Sequence, residues 1–75
     1  MDEEITLEVK RTIIEQESMM WRNTRYQLQL RHRVNKALGA ADVLVQVEKE
    51  LEKCEKALDV LDVVLSELRN GEVTP

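Results

Sequence analysis

Leu44, Val47, Leu51, Cys54, Leu58, Leu61, Leu65 and Leu68 recur at alternating intervals of three and four residues. On a helix this alternation sets all eight side chains along one seam, the a and d positions of a heptad. Such a seam is stable in water only when another helix covers it. The ladder therefore demands a helical partner, and the nearest source of one is the rest of the same chain.

Leu38-Gly39-Ala40-Ala41-Asp42 offers the break that a fold-back needs. Glycine takes the left-handed conformation after a helix at little cost, and aspartate is suited to cap the next helix. The sequence predicts helix one from about residue 4 to 38, a turn at 39–41, helix two from about 42 to 69, and a tail at 70–75 containing Asn70-Gly71 and Pro75. A single helix running through Gly39 competes with this arrangement, since the glycine costs only ~1 kcal/mol there. Ile5, Leu7, Val9, Arg11 and Ile13 alternate as a strand would. A lone strand leaves its backbone groups unpaired, so helix is the expectation for this segment too.

A hairpin folded about residue 40 pairs positions whose numbers sum to roughly 80. That rule sets Leu61 opposite Met19 and Met20, Cys54 opposite Tyr26, Val47 opposite Arg33 or Val34, and Leu68 opposite Ile13 or Thr12. Helix one is expected to offer Val9, Ile13, Met20, Gln27, Leu30, Val34 and Leu38 as its seam. Gln16, Asn23, Thr24 and Gln27 are polar entries in or beside it, suited either to a register-fixing polar layer or to a solvated flank. Toward the open end, apolar residues exceed what one contact can use: Val60, Val63 and Val64 on helix two, and Ile14, Met19 and Trp21 on helix one. Burying a Val or Leu is worth ~1.5 to 3 kcal/mol, so a second hairpin is expected to cover them. The expected fold is all-α: a two-helix antiparallel hairpin dimerising into a four-helix bundle, with Met19, Met20, Trp21, Val60, Val63 and Val64 at the oligomer interface.

Size points the same way, because 75 residues lie near the limit at which one core is adequate unaided. Disulfides cannot help. The one cysteine, Cys54, falls at a d position and is expected to be a small buried hydrophobe rather than a reactive thiol. That single thiol, with acidic residues at Met1–Glu4 where a secretory leader would be basic and then apolar, leads to a cytoplasmic expectation. No stretch approaches the ~18 apolar residues of a membrane span. Helix two, acidic and without an aromatic residue, also lacks the character of a membrane-surface helix.

Charge is segregated along the chain: residues 1–17 carry a net −4, residues 18–41 carry +5 with no acid, and residues 42–75 carry −5. Helical projection collects Arg22, Arg25, His32, Arg33 and Lys36 in one stripe opposite the expected seam, flanked by Trp21 and Tyr26. Exposed arginine beside aromatic rings suits phosphate backbones and unpaired bases. The chain also supplies acids for these bases to meet, since Glu48, Glu55 and Asp62 stand beside the ladder and Glu52 and Asp59 extend that flank.

No chemistry-bearing constellation stands out. His32 is the only histidine, and the Glu-x-x-His pairs of di-metal bundles are missing, so no metal site is expected. There is no glycine-rich phosphate loop, and neither Ser18 nor Ser66 has a histidine base nearby in sequence. No catalytic residue and no cofactor are expected. The sequence reads as a small non-enzymatic helical oligomerisation and protein-interaction module, with a homodimer and a larger protein as its partners. The alternative is an RNA- or DNA-binding hairpin dimer using Arg22, Arg25, Arg33 and Lys36.

Overall fold

The computed structural model describes residues 5–73, and the side chains of residues 5–70. The described residues form two α-helices, α1 (Leu7–Leu38) and α2 (Ala41–Val73), packed against each other as an antiparallel hairpin, with no strand among them. The expected tail positions Thr74 and Pro75, and Met1–Glu4, lie outside the described residues.

Each helix boundary has a local cause. Thr6 caps α1: its backbone is extended, and its Oγ1 accepts a hydrogen bond from the Val9 N–H at 3.2 Å. This satisfies one of the donors a helix start leaves open. The strand alternative for this segment is thereby displaced by helix from Leu7 onward. At the other end Gly39 adopts φ 71°, the one positive φ among the described residues. Its N–H bonds to the Lys36 carbonyl at 3.2 Å, and the Ala40 N–H bonds to the Asn35 carbonyl at 3.0 Å. These two bonds form the Schellman closure that ends a helix at a left-handed residue. The continuous-helix alternative is excluded by this closure.

Helix α2 starts one residue earlier than expected, and Asp42 is not its cap. The Ala40 carbonyl accepts the helix's first hydrogen bond, from the Leu44 N–H at 3.0 Å. Asp42 lies within the first turn, where its charge favours the positive end of the helix dipole. At its far end α2 continues through Asn70 and Gly71 to Val73 rather than stopping near Arg69. Both residues are poor helix formers at a cost of about 1 kcal/mol or less each, which an ongoing helix absorbs.

The hairpin is a rod, 55 × 18 × 17 Å, with a radius of gyration of 17.0 Å where a compact chain of this length would have about 11 Å. Its interior is thin. Among the described residues Leu28, Val47, Cys54 and Leu58 are the buried side chains, and Trp21 and Leu51 pack against the Leu28–Val47–Cys54 cluster. On α2 the eight ladder residues, together with Ala57, are the positions withdrawn from solvent.

The fold-back level follows the expected rule, but α1 is rotated about its axis. The side chains of α1 withdrawn from solvent are Ile14, Ser18, Trp21, Thr24, Arg25, Leu28, His32 and Asn35. Apart from Thr24 they form their own alternation of four and three. The anticipated seam of Val9, Ile13, Met20, Leu30, Val34 and Leu38 is instead 43–73 % exposed. It lies roughly 130° around the helix from the stripe that meets α2. The stripe in contact is the more polar of the two, and it fits because both surfaces count. Trp21 supplies a large apolar body. Arg25 and His32 cover the ladder with apolar stem and ring while their polar ends reach acids at its edge.

Candidate interaction surface

An ion pair, a histidine–carboxylate hydrogen bond and two grooves define the hairpin's sides. On one side Arg25 Nη1 lies 3.7 Å from Glu55 Oε2, and His32 Nε2 lies 3.0 Å from Glu48 Oε2. Farther from the turn the same side holds a groove lined by Glu15, Ser18, Met19, Arg22, Asp62 and Leu65. Glu48, Glu55 and Asp62 are one heptad apart, as are Ser18, Arg25 and His32, so a base-bearing row of α1 runs beside an acid row of α2. We term this the charged side.

The opposite side opens into a groove of about 440 Å³ near the free ends, lined by Ile5, Lys10, Ile13, Ile14, Val64, Glu67 and Leu68. Apolar walls dominate it, with Lys10 and Glu67 as its charges. Helical spacing continues this side toward the turn. Met20 follows Ile13 by one heptad, Val60 precedes Val64 by one turn, and Ala57 precedes Val64 by one heptad. Met20, Val60 and Val64 are 50 %, 59 % and 37 % exposed. We term this the apolar side.

The six residues expected at an oligomer interface are thus distributed. Met20, Val60 and Val64 share the apolar side, and Val63 lies next to Val60 on the outer face of α2. Met19 lines the charged-side groove. Trp21 packs into the hairpin's own interior. Ile14, one of the surplus apolar residues expected to be covered by a second hairpin, lines the apolar groove, as does Ile13, which the sequence assigned to the seam against α2; Ala57 was not anticipated. The heptad that links Ile13 to Met20, and the one that links Ala57 to Val64, carried that information in the sequence. The rotation of α1 was needed to place the two rows together.

The basic group is divided in the same way. Arg22, Arg33 and Lys36 are exposed, whereas Arg25 is half-buried against Glu55 and His32 half-buried against Glu48. The bases thus do not form one free stripe opposite the core, because Arg25 and His32 belong to the α1–α2 contact. On α2, Lys53 Nζ lies 3.4 Å from Glu50 Oε2, an exposed pair within the helix. Cys54, a free thiol, is 1 % exposed. Burial and the Glu50 carboxylate push its pKa up, with Arg25 pulling in the other direction and Glu55 adding to the rise.

Among the described residues, no helix is long and apolar enough to cross a membrane, and no group of three or more His, Cys, Asp or Glu is arranged to hold a metal ion. Comparison with known protein families, curated proteins and solved structures found no match.

Proposed function

We propose that this chain is a non-enzymatic helical module that works by self-association and presents its polar surface to a larger protein. One observation carries the reading: among its described residues the two-helix rod buries four side chains, while Ile13, Met20, Val60 and Val64 stay exposed along one side. Exposed apolar side chains gathered in this way mark an interaction surface. The accessible surface supports the same view. At 5933 Å² it exceeds by about 1,100 Å² what a compact monomer of this mass would expose. A standard interface removes roughly 800 Å² per partner.

The single buried thiol suits a reducing compartment, and the cytoplasm is the proposed location. A nucleic-acid role for Arg22, Arg25, Arg33 and Lys36 draws less support, because Arg25 faces Glu55 and acids line the same side. Steep salt dependence of RNA or DNA binding, abolished by an Arg22/Arg33/Lys36 charge-removal variant, would favour it instead.

Sedimentation equilibrium over a concentration series, with far-UV circular dichroism on the same samples, tests the proposal. A helical dimer is the expected result. A helix-poor monomer that orders only with another protein would overturn self-association.

A further inference from the structure

Building on the self-association reading, we infer that the occupant of the apolar side is a second copy of this hairpin. It is held with both turns at the same end, so that α1 of each copy lies against α2 of the other. The charged side stays in water.

The choice of side follows from what each would bury. A dimer through the charged side would desolvate the Arg25–Glu55 and His32–Glu48 pairs together with Arg22 and Asp62, and removing charges from water costs several kcal/mol per ion unless well compensated. A dimer through the apolar side covers Ile13, Met20, Val60 and Val64, and the charges it brings with them, Lys10, Glu17, Arg31, Glu50, Lys53 and Glu67, are exposed ones at the margin of that apolar row. It also continues the interior, because Ile14 and Leu68 already line the groove that opens on that side. The excess surface of the rod is large enough for a standard interface on each copy.

The orientation follows from where the apolar residues lie along the rod. Ile13, Met20, Val60 and Val64 occupy the half remote from the turn, Gln27, Arg31, Glu50 and Lys53 the middle of the same side, and Val34 and Val43 its end near the turn. Turning the second copy end for end at full overlap would set Val64 at the level of Glu50, and Ile13 at the level of Arg31. Apolar side chains would then meet charges. With turns together, α1 meets α2 of the partner level for level, as it does within one hairpin. Met20 then meets Val60, and Arg31 meets Glu50. Lys10 and Glu67, the charges of the apolar groove, are also brought together with opposite sign.

Three measurements on the full chain test this. Sedimentation of the unaltered protein comes first. A monomer at every concentration would overturn the self-association reading itself, whereas a dimer leaves the side and orientation to be decided. Met20→Glu and Val60→Glu are then expected to raise the dimer dissociation constant on the order of 100-fold, with Met19→Glu on the charged side leaving it within a few-fold. A dimer that survives the first two and is lost with the third would overturn the choice of side. The third measurement needs no interface variant. Asp42→Cys in a Cys54→Ala background, spin-labelled at the new thiol, is expected to give a label-to-label distance of about 25 Å or less, a bundle's width. A distance beyond about 40 Å, as two turns at opposite ends of the 55 Å rod would give, would overturn the orientation.

Discussion

Arg25 of α1 and Glu55 of α2 face each other across the hairpin at 3.7 Å, the arginine side chain one-third exposed and the glutamate side chain mostly so. The pair joins the basic segment of the chain to its acidic segment without being buried. Exposed pairs of this geometry are worth ~0 to 1 kcal/mol. A double-mutant cycle on Arg25 and Glu55 is therefore expected to give a coupling below ~1 kcal/mol in urea unfolding. Arg25→Met, which keeps the apolar stem over the ladder, is expected to hold stability within about 1 kcal/mol. A coupling of several kcal/mol would mean that charge rather than stem positions α1.

Ser18 occupies a seam position of α1 beside Leu65, in the charged-side groove. Its hydroxyl has no hydrogen-bond role that the packing requires, and the groove has room for a larger side chain. Ser18→Leu is expected to stabilise the hairpin by about 1 kcal/mol through added apolar burial. The measurement is the urea midpoint at unchanged slope. A destabilised protein would show that the groove cannot admit the branch.

Cys54 gives a pH prediction with a definite sign. Its pKa in the folded chain stands above the ordinary 9.0, so the folded state holds the proton more tightly than the unfolded one. Below the ordinary value both states are protonated and stability does not depend on this group. As pH rises through that value the unfolded chain ionises first, and stability falls by up to ~1.4 kcal/mol per pH unit until the folded pKa is reached. Unfolding free energies of the natural chain and of Cys54→Ala, measured between pH 7 and 10, should diverge above about pH 9. Parallel profiles would mean that the thiol is solvated on folding.

The turn yields a pair of opposite effects. Gly39 sits at φ 71° with open space where a Cβ would point, so Gly39→Ala carries only the conformational penalty, about 1 kcal/mol. Ala40 holds the N-cap position of α2 by its bonding but has no side-chain acceptor. Ala40→Ser is expected to stabilise by about 0.5 to 1 kcal/mol. Thermal unfolding of the two variants should move in opposite directions from the unaltered protein.

The fold was readable wherever a local rule acts alone. The ladder from Leu44 to Leu68 identifies α2 and its inward face, and Gly39 marks the reversal. The sum rule gave the level at which the helices meet, which the Arg25–Glu55 and His32–Glu48 pairs both obey. Helix ends were less legible. The Thr6 cap and the passage of α2 through Asn70 and Gly71 depend on terms of about 1 kcal/mol, which neighbouring turns outweigh.

The candidate surface was legible only in part, because α1 carries two seams. Ile14, Ser18, Trp21, Arg25, Leu28, His32 and Asn35 make one, while Val9, Ile13, Met20, Leu30 and Val34 lie along the other, and the second is the more apolar. Hydrophobicity read from α1 alone favours that second stripe for the interior. The sequence by itself determined two helices, the turn and the level of contact, since these follow from spacing and from single residues. Only the tertiary structure decided which face of α1 turns inward. That choice depends on the sum over both surfaces: a tryptophan and a leucine against the ladder, and an arginine and a histidine reaching Glu55 and Glu48 at its edge. It is this rotation that leaves Ile13 and Met20 beside Val60 and Val64 on one exposed side.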